Sequence, residues 1–263
     1  MNQPWSNVPR FDPVHDTPRP LVSVVTAALN AREALRETVG SVAGTSLAAE
    51  HVVVDGGSTD GTVDDLAAFE NRVKWISEPD FGIADAMNKA IALTRGEWIV
   101  VLQAGDSLAD PESLESAAEF LSPDIDILLC GVRRGGQAAY RDRSFRFARQ
   151  RLLFKAIWHQ GALCRRDLFE KIGGFDTSFR VAMDYEFFLR ARTAGAMFRP
   201  APVILARMDD GGLSSRKDWP SLKARFAEER RAQMMHCQTS AMRAVYAAYW
   251  PPYLAYRRLR SRL

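Results

Sequence analysis

The chain has few cysteines, no long apolar run and no strong excess of charge of either sign. Its three cysteines, Cys130, Cys164 and Cys237, are far apart and odd in number among 263 residues. That argues against a disulfide framework, matches no metal-site spacing and points to a reducing compartment. No run of 18 or more apolar residues occurs, so no transmembrane helix is expected. The first residues show no basic region followed by an apolar stretch, which argues against secretion and for a cytoplasmic location. No Gly-x-Gly-x-x-Gly follows the first apolar strand, which argues against a dinucleotide-dependent dehydrogenase. What remains is the composition of an ordinary soluble globular protein, 47% hydrophobic and 25% charged, and long enough to bury a substantial core.

The small net charge of +3 conceals an asymmetry. From Arg216 to Leu263 there are eleven Lys/Arg against three Asp/Glu, a net of +8, which leaves −5 for residues 1–215. A second basic cluster runs from Arg133 to Lys155, with eight Lys/Arg against Asp142 alone. The chain is acidic where a metal could bind and basic where an anionic surface could lie. The basic cluster is interleaved with Phe145, Phe147, Leu152 and Phe154. No RNA- or DNA-binding motif accompanies it, so no nucleic-acid partner is expected.

Apolar runs and turn residues organise the rest. Residues 1–19 hold four prolines and no periodicity and read as a loose arm. Strands are expected over Leu21–Ala27, Val52–Val54, Val73–Ser77, Trp98–Leu102 and Ile125–Cys130, alternating with helices. Asn30 is expected to cap the first helix and Asp60 the second. This β-α alternation is the signature of a mostly parallel sheet with helices on both faces. After it come Trp158-His159-Gln160-Gly161, a short strand to Cys164, a helix from Arg166 to Ile172, and a helix opened by Ala182-Met183-Asp184-Tyr185-Glu186. A strand within Met197–Met208 follows, then a long helical region from Leu222 to Tyr249, which Pro251-Pro252 is expected to break.

Two strand ends carry the chemistry. The run Val52-Val53-Val54 ends in Asp55-Gly56-Gly57-Ser58-Thr59-Asp60-Gly61, and the strand at Trp98 ends in Gln103-Ala104-Gly105-Asp106. Ligands of open α/β sheets bind in the crevice beyond such carboxyl ends, and glycine lets the backbone approach them closely. A carboxylate there suits a hard cation such as Mg²⁺ that shares its shell with substrate phosphates. The same residues also serve as ordinary turns and caps. Asp85, Asn88 and Lys89 fall at i, i+3 and i+4 of one helix, either a polar site or a solvated face. Asp184 is placed to be a helix N-cap or a general base. Tyr256, Leu259 and Leu263, set among Arg257, Arg258, Arg260 and Arg262, read either as a basic amphipathic helix on anionic lipid or as a solvated tail.

Together these stretches resemble family 2 glycosyltransferases of the GT-A fold, over residues 21 to 215. The resemblance rests on Val22–Asn30, on VVVDGGSTDGT from Val52, on SEPDFGIADAMNKAI from Ser77 and on GEWIVVLQAGDSL from Gly96. It continues through HQGALCRRDLFEKIGGFD from His159 and AMDYEFFLR from Ala182. Gly211–Ser215 is similar to the subgroup that builds bacterial exopolysaccharides. Beyond the loose arm, taken as 1–20, the resemblance implies a catalytic domain over 21–215, with a nucleotide-sugar half (21–130) and an acceptor half (131–215). A basic helical extension then occupies 216–263.

The activity it implies is inverting transfer of a sugar from a nucleoside diphosphate sugar to a hydroxyl, with a polyprenyl-linked or oligosaccharide acceptor. The enzyme would be peripheral on the cytoplasmic face of the membrane. On the donor side the resemblance places Thr26, Ala27, Asn30, Asp55, Gly56, Asp85, Asn88 and Gly105. It makes Asp106 the ligand of Mg²⁺ or Mn²⁺ and Asp184 the base, with His159 and Gln160 near the diphosphate and acceptor. Where the family often has two acids in its metal motif, Gln103-Ala104-Gly105-Asp106 has one, which implies weak metal affinity until the diphosphate supplies oxygens. Two rivals are a non-catalytic nucleotide-sugar scaffold and a nucleotidyltransferase. The latter normally carries a Gly-rich loop with Arg and Lys where this chain has Ala27-Ala28-Leu29-Asn30.

Overall fold

β-Branched runs build the centre of one mixed sheet. The computed structural model describes residues 19–69, 72–134, 157–209 and 218–260. The strands are β1 (Val22–Ala28), β2 (Glu50–Asp55), β3 (Lys74–Ser77), β4 (Trp98–Val101), β5 (Ser107–Leu108), β6 (Ile127–Arg134), β7 (Ala162–Arg165) and β8 (Phe198–Met208). Their order across the sheet is β3-β2-β1-β4-β7-β6-β8-β5. The first four are parallel to one another, so their carboxyl ends share one edge. β7 then runs antiparallel between β4 and β6, while β8 is parallel to β6 and antiparallel to β5. Every residue of β1 and β2 is buried, as strands covered on both faces must be.

The helices are α1 (Arg32–Ala43), α2 (Thr62–Ala68), α3 (Ile83–Leu93), α4 (Ser113–Ala118), α5 (Arg166–Ile172), α6 (Met183–Thr193), α7 (Trp219–Met235) and α8 (Ser240–Arg260). Alternation along the strands sorts the core into faces. Val25, Val52, Val54, Ile99 and Val101 pack with Met87 and Ile91 of α3 and with Phe187 of α6. Val22, Val24, Trp98 and Val100 pack with Leu114 of α4. Leu35 and Val39 of α1 join Val53 and Leu66 in a third cluster. Leu222, Phe226, Tyr246 and Trp250 give α7 and α8 a small core of their own.

Three expectations are corrected. Asn30 does not cap α1: the N-cap is Ala31, without a side-chain cap bond. The Arg32 amide instead donates to Asp60 Oδ2 at 3.1 Å, while Asp60 Oδ1 takes the Thr62 amide at 3.0 Å. Asp60 thus serves the first turns of both helices from outside them, and the N-cap of α2 is Gly61, in the left-handed region at φ 91°. Nor does Pro251-Pro252 end a helix, since α8 runs through both. Rings on either side hold that segment: Trp250 and Tyr253 both pack against Phe226, and the Trp250 indole donates to Gln233 Oε1 at 2.7 Å. The real break falls at 236–239, where Thr239 Oγ1 accepts from the Met242 amide to start α8. Beyond these three, the sheet gains an unexpected edge strand in β5.

The Gly135-Gly136 turn, the basic cluster from residue 135 to 155, the Gly211–Ser215 stretch, most of the N-terminal arm and the last three residues lie outside the described residues.

Candidate active site

The crevice is formed where the loops after β1, β2 and β4 meet. Backbone bonds stitch them together: Gly56 N to Ala28 O at 2.9 Å, Glu78 N to Asp55 O at 3.0 Å, and Ala104 N to Ala27 O at 3.4 Å. The Asp55 carboxylate, fully buried, accepts from the Gly57 and Ser58 amides at 3.0 and 2.9 Å and from Ser77 Oγ at 2.7 Å, with Ser58 Oγ as a further donor. It therefore shapes the loop. Asn30, with a left-handed φ of 47°, zips the first two loops by taking the Thr59 amide at 2.9 Å and giving its own amide to Ser58 Oγ at 2.7 Å. Gly56 is packed so tightly that a Cβ there would collide with the Asp80 carboxylate.

The other donor-side residues are distributed unevenly. Thr26 lies inside the sheet, its hydroxyl 2.9 Å from His51 Nε2, and Ala27 beside it is buried. Asp85, in the first turn of α3, accepts the Phe81 amide at 3.1 Å and pairs with Lys89 at 3.3 Å. Asn88 does not share that face. It is buried, its Nδ2 donating to Phe175 O at 2.8 Å and its Oδ1 accepting the Phe175 amide at 2.9 Å.

Asp106 is the centre of the second group. The preceding Gly105 takes φ 99°, and Thr38 Oγ1 bonds to the Asp106 carbonyl at 2.6 Å. The carboxylate, 3% exposed, receives the Gln103 amide at 3.1 Å, Gln160 Nε2 at 3.0 Å and the Asp209 amide at 3.1 Å. Burial raises the Asp106 carboxyl above its usual range, against the pull of His159 and of these hydrogen bonds.

His159 opens a single 3₁₀ turn, His159–Gly161, that carries it to Asp184. Its Nδ1 lies 3.1 Å from Asp184 Oδ2. Burial disfavours charge on the ring, but the bond and charge of Asp184, with the charge of Asp106, raise its pKa overall. The same turn thus serves both carboxylates, Asp184 through His159 and Asp106 through Gln160. Asp184 is not the cap of α6. That position is Ala182, with no side-chain cap bond, and Asp184 Oδ1 takes the next amide, Tyr185 N, at 2.7 Å.

Three buried polar atoms at this centre lack a partner among the described residues: Gln103 Oε1, His159 Nε2 and Gln160 Oε1. All three belong to residues that bond to or interact with Asp106. Buried atoms of this kind are where a ligand's groups are expected. With one carboxylate oxygen they make a hard, oxygen-rich set that fits a divalent cation sharing its shell with phosphate. Among the described residues no three His, Cys, Asp or Glu side chains gather to hold a metal unaided, so the fit needs oxygens from the ligand.

Two acids escaped the sequence reading. Asp209 follows β8 and its side chain lies against Gly105. An acid at the end of an apolar strand was the signal that revealed Asp55 and Asp106, and it applies here too. Glu229 of α7 interacts with Asp184. Burial pushes its carboxyl up to about 7, with Arg225 and Arg257 opposing and Asp184 adding to the rise. Nothing in a helical run of charged residues distinguishes Glu229.

The family model for glycosyl transferase family 2 matches residues 23–180. An uncharacterized glycosyltransferase of Mycobacterium tuberculosis is 33% identical over 235 residues, 84% of this chain and 86% of that one. A PGL/p-HBAD biosynthesis glycosyltransferase of Mycobacterium bovis is 33% identical over 210 residues, covering 74% and 80%. Among solved structures, a mannosyltransferase from Pyrobaculum calidifontis in complex with GDP-Man and Mn²⁺ superposes with a TM-score of 0.71. It is 20% identical, over 98% of this chain and 78% of that one. S. aureus TarS 1–349 in complex with UDP-GlcNAc gives 0.68 at 18% identity, over 89% and 72%.

Proposed function

The chain belongs to glycosyl transferase family 2, a glycosyltransferase with a nucleotide-sugar donor, and from that premise we propose that it is an inverting enzyme whose base is Asp184. The observation that carries this reading is one turn that serves two differently placed carboxylates: His159 Nδ1 lies 3.1 Å from the partly open Asp184, and the adjacent Gln160 donates to the buried Asp106 at 3.0 Å. The loops after β1 and β2 would receive the nucleotide, with Asp55 and Asn30 holding their shape and Asp85 on the donor side. The diphosphate would lie over Gly105 and Asp106. Asp106, with His159 Nε2 and the Gln103 and Gln160 amide oxygens, would hold Mg²⁺ or Mn²⁺. A divalent ion there supplies charge neutralisation for the departing diphosphate.

On the other side of His159, Asp184 would take the proton of the acceptor hydroxyl as that oxygen bonds to the anomeric carbon and the bond to the diphosphate breaks. The His159 ring would hold the Asp184 carboxylate oriented. Asp184→Asn should keep nucleotide affinity and lower turnover of UDP- or GDP-sugars by about 10³-fold; undiminished turnover would refute the base.

We further infer a lipid-linked acceptor at an anionic membrane, in synthesis of a cell-surface polysaccharide. Support comes from exposed Tyr256 and Leu259 beside Arg258 and Arg260 at the end of α8. No helix of the described residues is long and apolar enough to cross a membrane, so attachment would be peripheral. Removing residues 253–263 should abolish binding to phosphatidylglycerol vesicles; retained binding would refute it.

A further inference from the structure

The segment between α5 and α6 that leads to Asp184 is held from a helix beyond the matched family residues. Arg180, Val181 and Ala182 lead into α6 with three consecutive amides pointing one way. All three donate to a single carboxylate of α7: Arg180 N to Glu228 Oε1 at 2.9 Å, Val181 N and Ala182 N to Glu228 Oε2 at 2.9 and 2.8 Å. The first amides of a helix have no partner within it, and α6 has no side-chain cap of its own. Glu228 supplies an acceptor for the N-cap amide of Ala182 and for the two amides before the helix, from 46 to 48 residues away in sequence, as a charge-assisted bond to each.

Neighbouring turns of α7 grip the same segment. Arg231 lies over the Phe179 ring at 3.6 Å and donates to Ser178 Oγ at 2.9 Å. Gln233 Nε2 donates to the Tyr185 hydroxyl at 2.8 Å, and His236 Nε2 lies 2.7 Å from Glu186 Oε1. Residues on both sides of Asp184 are therefore tied to α7, and α7 is tied to α8 through Trp250 and Gln233.

We propose that Glu228 is a positioning residue for Asp184, so that α7 and α8 complete the active site. The proposal rests on Asp184 being the base. Without Glu228, three amides turn to water and the start of α6 relaxes. A displacement of the order of 1 Å from the reacting geometry costs about 10²-fold in rate.

The test compares the full-length wild type with Glu228→Ala, Glu228→Gln, Asp184→Asn and the Glu228→Ala/Asp184→Asn pair. Hydrogen exchange of a peptide spanning 179–187 should rise in Glu228→Ala, while a peptide spanning 50–60 should be unaffected. Release of nucleoside diphosphate from a UDP- or GDP-sugar should show kcat lower by about 10²-fold. UDP or GDP affinity with Mn²⁺ should stay within about twofold. Glu228→Gln, whose amide oxygen still accepts, should be intermediate, and the pair should be no slower than Asp184→Asn alone. Wild-type kcat in Glu228→Ala, or equal losses of nucleotide affinity and kcat in Glu228→Gln, would overturn the proposal while leaving the base assignment intact. Wild-type kcat in Asp184→Asn would overturn both.

Discussion

Replacing Asn88 with alanine separates a donor contact from a structural strut. The Asn88 carboxamide is 5% exposed and makes a reciprocal pair of hydrogen bonds, 2.8 and 2.9 Å, with the backbone of Phe175. Asn88→Ala leaves that N–H and C=O buried beside a 4% exposed Phe175. Each unsatisfied buried group costs about 1–3 kcal/mol. Water admitted to the small space left behind offsets part of that, which gives a total of about 2–4 kcal/mol. At about 2–4 °C per kcal/mol for a domain of this size, the melting temperature should fall by roughly 5–15 °C. Asn88→Asp should fare no better, because a carboxylate would face the Phe175 carbonyl. Thermal melts by circular dichroism, run beside titration of UDP and GDP with Mn²⁺, decide the matter. Nucleotide affinity below the transition should be unchanged. A variant that melts within about 2 °C of wild type but loses nucleotide affinity would show that Asn88 contacts the donor and that the strut reasoning is wrong.

Gly161→Ala should damage the site from behind. A Cβ there would stand 2.5 Å from the Cys130 carbonyl oxygen and 2.8 Å from Val132 Cγ2, pushing the His159–Gly161 turn off β6. A stability loss of about 1–3 kcal/mol with a larger loss of turnover is expected in melts and sugar-release assays; wild-type values in both would contradict it. His51 makes stability depend on acid. Burial holds its pKa near 3 against an ordinary 6.5, so below pH 6.5 the unfolded chain takes a proton that the native state refuses. The contribution is complete above the unfolded value and is lost as pH falls toward 3, by about 2 kcal/mol between pH 6.5 and 5. Urea unfolding should show this slope in wild type and a shallower one in His51→Gln; parallel slopes would refute the assignment.

The sheet's parallel half was legible because its physics is local. Val52-Val53-Val54 and Trp98–Val101 are apolar on both faces, and each is closed by glycine and an acid, so strand, buried position and crevice follow from neighbouring residues. The antiparallel entry of β7 was not legible, since Ala162–Arg165 has the same composition whichever way it runs. The Asp106–His159–Asp184 line mixes the two cases. Asp106 announced itself as an acid at a strand end. The contact between His159 and Asp184 depends on a turn and a helix brought together by the whole fold. Asn88 was misplaced because helical spacing gives an angle around the axis, and α3 turns that angle toward Phe175, 87 residues away. Glu228 carried no signal, for in sequence it is one charge in a charged helix and its three partners are backbone amides.

Asp106 is expected to mark the donor diphosphate site. Isothermal titration of UDP, GDP and dTDP, each with and without Mn²⁺, against wild type and Asp106→Ala tests it most directly. One diphosphate should bind the wild type, need Mn²⁺ to do so, and lose that binding in the variant. Equal binding by both proteins, with or without the metal, would contradict the claim.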